Sequence, residues 1–174
     1  MSLNQVSCVV VLVCWAVGMT FGASSVEKVT VCDVLADPLK YNGKMILLEG
    51  EIFGTDEGGW LTASSCPTQF VTGDHVWPNS VFLQNPTYRH NLHKVNFEYD
   101  YAAEKHYFAE SDKLEKKYPG RKLRWVYEGL FETRTDWAPA KYPDGATKYI
   151  GFGHLGEAPA QIIVKAIRAV SVAP

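Results

Sequence analysis

Met45-Ile46-Leu47-Leu48-Glu49-Gly50-Glu51-Ile52-Phe53 is the stretch on which the fold turns. Ile46, Leu48 and Ile52 alternate with Glu49 and Glu51, the period of a strand with one dry and one wet face. Gly50 sits in its middle. Glycine weakens an ordinary strand but permits a sharp bend or bulge, so one strand can serve two sheet faces. Just upstream, Tyr41-Asn42-Gly43-Lys44 is a turn signal, because Asn and Gly tolerate the positive φ of a tight reversal. Before that, Thr30 is placed to cap a short helix over residues 32–36, limited by Pro38. Downstream, residues 55–59 form a polar turn, Trp60-Leu61-Thr62-Ala63 begins a return strand, and Cys66 follows.

Beyond Cys66 the chain is irregular as far as Pro78 and then offers a third strand, Ser80-Val81-Phe82-Leu83-Gln84, ended by Asn85-Pro86. A polar loop over residues 87–96 holds His90 and His93. Residues 97–118 take helical spacing, with Ala103, Tyr107, Leu114 and Tyr118 on one stripe and Pro119-Gly120 as the stop. Residues 122–134 return to strand character, and Glu128-Gly129 echoes Glu49-Gly50, which predicts two strands bent alike at Gly50 and Gly129. A loop over residues 136–147 leads to Gly153-His154-Leu155-Gly156, a turn in which His154 is expected to donate a structural hydrogen bond. The run from Gln161 to Ile167 is an apolar strand that would close the sheet. The expected class is mainly β with a helix between strands three and four, ordered as a five-stranded OB-like barrel.

The chain has 174 residues, 47% hydrophobic and 13% aromatic, enough for one domain with a proper core over residues 26–174. Its net charge of -2 argues against a surface given over to nucleic acid, since such proteins carry a basic excess. Residues 6–21 are almost all apolar, and small residues follow them at positions 22–25. This is a secretory signal pattern, shorter than the roughly 20 residues that span a bilayer comfortably. The expectation is residues 1–25 as signal peptide, with no stable membrane span once it is removed. The absence of Lys or Arg near the start leaves an uncleaved anchor or a different start as the alternative. Neither Cys8 nor Cys14 fits a lipid-attachment site, because Cys8 comes too early in the apolar run and Val13 before Cys14 is too large. Cys32 and Cys66 then remain, an even count in a chain bound for an oxidising compartment, and a disulfide between them is predicted. Two buried thiols are the alternative.

Cys32 to Leu35, Tyr41 to Lys44, Gly50, Cys66, Gly153 to Gly156 and the last strand follow the pattern of small secreted bacterial OB-fold-like proteins, a family that the chain resembles over most of residues 26–174. The resemblance implies the barrel and a periplasmic or secreted location. It carries no catalytic residues. Residues 67–96 and 136–147 are longer loops than a minimal barrel of that kind needs.

Few residues suggest chemistry. His90 and His93, spaced i,i+3, could share a metal with Glu98 as third ligand, but no Glu lies between them as a metalloprotease helix requires. Solvated loop histidines are the plainer reading. The cations Lys113, Lys116, Lys117, Arg121, Lys122 and Arg124 cluster at a helix C-terminus, which favours them by itself. An OB-fold presents ligands on its second and third strands and adjoining loops, where aromatic rings stack on bases or sugars. Trp60, Phe70, Trp77, Phe82 and Tyr88 fall in that region; Trp60, Trp77, Phe82 and Tyr88 are the candidate ligand-binding residues. No nucleophile elbow, phosphate loop or dinucleotide fingerprint occurs. The expectation is a non-enzymatic, exported or envelope-associated binding module without a cofactor. Its ligand is a saccharide or a peptide, its partner a cell-envelope saccharide or protein, and nucleic acid is disfavoured. A metal-dependent hydrolase built on the His90/His93 loop is the alternative.

Overall fold

A computed structural model describes residues 26–56, 58–89, 91–137, 139–141, 145, 147–153 and 156–173. The expected signal peptide, His90 and His154 lie outside the described residues. In order, the elements are β1 (Glu27–Thr30), α1 (Val31–Ala36), α2 (Pro38–Tyr41), β2 (Met45–Thr55), β3 (Gly58–Thr62), β4 (Val71–Thr72), β5 (His75–Val76) and β6 (Ser80–Gln84). They continue with α3 (Tyr101–Lys117), β7 (Leu123–Thr133), β8 (Ala140–Lys141), β9 (Thr147–Lys148) and β10 (Ala160–Val172). The molecule is mainly β with a few helices.

Six strands form one sheet in the order β1-β2-β3-β6-β10-β7, and β2 also pairs with β7. β2 achieves this by changing partners along its length: Met45 to Glu51 face β7 and Glu51 to Thr55 face β3. Gly50 stands just before the switch. A Cβ there would come within 2.9 Å of Val31 Cγ2 and 3.1 Å of the Thr62 carbonyl, so the bend depends on its absence. Gly129 on β7 is crowded as well, since a Cβ there would run into the Ile163 carbonyl and the Ile162 side chain, but β7 keeps β10 as its partner on both sides of that position. Both strands are therefore crowded where their Glu-Gly pairs fall. Ile46 and Leu48 are buried as the alternation predicts, but Ile52 is 38% exposed because β2 runs on past the core.

Thr30 caps α1 through a reciprocal pair, its hydroxyl accepting from Asp33 N while Asp33 Oδ2 accepts from Thr30 N at 2.8 Å. These Thr30 hydrogen bonds hold the Asp33 carboxyl below its ordinary value. The Asn42-Gly43 turn is confirmed: Gly43 has φ 73°, Gly43 N donates to Phe131 O, and Asn42 Oδ1 accepts from Thr133 N. Cys32 and Cys66 form a disulfide with Cα atoms 5.3 Å apart, tying α1 to the chain just beyond β3.

α3 is shorter than its periodicity suggested, beginning at Tyr101 where Asp100 Oδ1 accepts from Ala103 N. Of the expected stripe, Tyr107 packs on the core and Tyr118 is 40% exposed. The one fully buried α3 residue among those described is Ser111, whose hydroxyl donates to Phe108 O. β1 was not anticipated. It adds to β2 in parallel, from Glu27 opposite Ile46 to Thr30 opposite Glu49. No described helix is long and apolar enough to cross a membrane.

Candidate functional site: an aromatic row beside a pinned loop

Directly paired residues on neighbouring strands share a face. Phe53 pairs with Trp60 and Trp60 with Phe82, so three rings lie in a row across β2, β3 and β6. Their centroids are 6.0 and 5.4 Å apart, tilted for the first pair and edge-on for the second, spacings at which aromatic pairs attract. Accessibility falls along the row, from 57% exposed at Phe53 to 8% at Phe82. The inner ring is held from both sides. A Cβ on Gly58 would lie 2.7 Å from Phe82 Cε2, and one on Gly153 would lie 3.0 Å from its Cδ2. Both glycines have positive φ, so the β2–β3 turn and the segment before β10 close on Phe82 in conformations that other residues resist. Phe152 packs beside Phe82, and the Arg134 guanidinium lies 5.3 Å above the Phe152 ring.

The same register carries the row onward through polar residues. Phe82 lies opposite Gln161 on β10, and Gln161 opposite Glu132 on β7. The Glu132 side chain has no solvent exposure. Its Oε1 accepts from His93 N at 2.5 Å and faces His93 Nδ1 at 2.9 Å; its Oε2 accepts from Leu92 N at 3.1 Å and Gln161 Nε2 at 2.5 Å. A buried carboxyl is tolerated only with such partners. The effect is to fasten residues 91–93 to β7 and β10. Glu132 carried one signal in the sequence, an acidic residue directly after Leu130 and Phe131 near the end of β7.

The four candidate ligand-binding aromatics are not one site. Trp60 and Phe82 belong to the row. Trp77 is 2% exposed in a separate cluster, donating from Nε1 to Thr72 Oγ1 at 2.7 Å and packing on Trp137 at 4.8 Å. Phe70 joins that cluster through Trp137 at 5.7 Å. Tyr88, 48% exposed, rides on the loop after β6, where its N–H donates to Asn85 O. Conversely, Phe53 belongs to the row and was not singled out, since its face follows only from the β2–β3 register.

His93 spends Nδ1 on Glu132, and among the described residues no three His, Cys, Asp or Glu side chains converge as a metal site would require. The basic run is largely committed to partners. Lys113 pairs with Glu110, Lys122 with Glu51 and Arg124 with Glu49, while Arg121 Nη2 donates to Ala173 O. Glu49 also receives Lys28 at 2.6 Å, and that hydrogen bond holds its carboxyl below the ordinary value.

Comparison with family models, with curated proteins and with solved structures found no match.

Proposed function

We propose that the protein is an exported, non-enzymatic binding module of the cell envelope, an OB-like five-stranded barrel that offers the Phe53–Trp60–Phe82 row to a saccharide. The strand ladders support the barrel. They run from β2 through β3, β6, β10 and β7 and back to β2, with β6 and β10 parallel and α3 between β6 and β7. Counted that way, β3 and β6 are the second and third strands, the surface on which OB-folds receive ligands. The disulfide and the apolar residues 6–21 support export to a periplasmic or secreted location. The likeness to small secreted bacterial OB-fold-like proteins points the same way.

The observation that carries the ligand reading is the exposed Phe53 ring beside the half-buried Trp60, set on paired strands next to an anchored Phe82. Rings fixed by a sheet give up little freedom on binding, and a sugar's apolar face stacks on them. A peptide is the competing ligand within the same reading. The test is titration of the disulfide-bonded protein with oligosaccharides and with peptides, following tryptophan fluorescence. Saccharide binding weakened about tenfold or more by Trp60→Ala, measured well below that variant's own melting temperature, is the expected result. Binding indifferent to Trp60 would reject the row, and tight, salt-sensitive binding of single-stranded nucleic acid would reject the ligand class.

A further inference from the structure

A second concavity of about 410 Å³ lies apart from the row, lined chiefly by Asp74, His75, Trp77, Lys148, Tyr149 and Glu157. Its size is within the range of small-molecule sites. Trp77 supplies its buried side. The His75 ring stands edge-on to Trp77 at 4.4 Å and lies 6.0 Å from the Tyr149 ring. Tyr149 in turn packs over Gly73, where its hydroxyl occupies the place a Cβ would take and a φ of 60° favours glycine. The walls are thus aromatic and held by their own packing.

Charged side chains ring these walls. Asp74, Glu157 and Lys148 all line this one cleft, and among the described residues none of the three has an ion-pair partner. Two carboxylates and one ammonium narrow the choice of ligand. A simple cation would face Lys148, a simple anion would face two carboxylates, and a neutral molecule would desolvate all three charges without compensation. A molecule carrying both signs satisfies each.

We propose that the cleft binds a small zwitterion of the amino-acid or dipeptide class. Its ammonium lies toward Asp74 and Glu157 against the faces of the aromatic rings, and its carboxylate lies toward Lys148. This site is independent of the saccharide reading of the row.

The experiment is calorimetric titration of the disulfide-bonded protein with L-alanine, L-alanyl-L-alanine, N-acetyl-L-alanyl-L-alanine and L-alanyl-L-alanine amide. Saturable 1:1 binding of at least one zwitterion is expected, weakened about tenfold or more by blocking either end of the dipeptide. The three charged side chains are exposed, so Asp74→Asn with Glu157→Gln, and Lys148→Gln, should keep the wild-type melting temperature. The first pair should remove the penalty for N-acetylation, and Lys148→Gln the penalty for the amide. Trp60→Ala should leave all of this unchanged while weakening saccharide binding at the row. No saturable binding of either zwitterion up to millimolar concentration would overturn the proposal. So would affinity indifferent to blocking, or affinity lost in Trp60→Ala and kept in the charge variants.

Discussion

Two glutamates four residues apart on β7 are both withdrawn from water, and the surroundings of each do opposite things with the same group. Glu128 is 8% exposed and lies between Lys165 Nζ at 2.8 Å and Arg168 Nε at 2.6 Å, cations on the adjacent strand that remain about 40% exposed. Glu132 is fully buried and held by two backbone N–H groups, a side-chain amide and an imidazole nitrogen. Its partners at Leu92 and His93 are 40 and 39 residues away in sequence. One region is a charge tie between strands that are already paired. The other fastens a distant loop to the sheet through a carboxyl that has no water to fall back on.

Glu132→Ala should break this contrast most severely. It removes a fully buried side chain and leaves the buried Gln161 amide and the part-buried Leu92 and His93 N–H groups without their acceptor, and losses of about 3–5 kcal/mol are expected. Urea unfolding reads the loss directly, and hydrogen exchange at Leu92 and His93 should accelerate before the rest of the sheet opens. A cost below about 1 kcal/mol would show that residues 91–93 are not held through Glu132.

Removing the disulfide as Cys32→Ser with Cys66→Ser should cost about 3–4 kcal/mol on the loop-entropy model for a separation of 34 residues. This sharpens the comparison, because a cross-link acts on the unfolded chain. Leu92 and His93 exchange should then rise only in step with global unfolding.

Glu128→Gln is expected to cost only about 1 kcal/mol, since its partners keep most of their hydration. Its pH dependence has a definite sign. Burial pushes the Glu128 carboxyl up, but hydrogen bonds and charge from Lys165 and Arg168 outweigh it and leave the carboxyl below its ordinary 4.5. A value depressed in the folded state gives stability that is complete above pH 4.5 and is lost as pH falls through the folded value. The gap between wild type and Glu128→Gln should therefore be full at pH 7 and shrink below pH 4.5. A gap that widened in acid would reverse the assignment.

The contrast also marks how far the sequence could be read. Local signals were legible: the Thr30 cap, the Asn42-Gly43 turn and the alternation over Ile46 and Leu48 all involve near neighbours or single-residue chemistry. Cys32 and Cys66 were legible by elimination. What depends on register was not. β1 is four residues long and reads as a polar lead until it lies along β2. The division of the aromatics into a row and a cluster follows from which strands pair and from Thr72 and Trp137 holding Trp77. Glu132 looks like a solvent-side residue until a loop some 40 positions earlier is laid over it.

The placement of β10 also bears on when the molecule can fold. This strand is the neighbour of β6 on one side and of β7 on the other, and its 13 residues come after both of them in the sequence. Until they have left the ribosome, β6 and β7 each carry an open edge able to recruit another chain. Synthesis stalled between residues 133 and 160 therefore leaves two adhesive margins, and the cure for both arrives in a single strand.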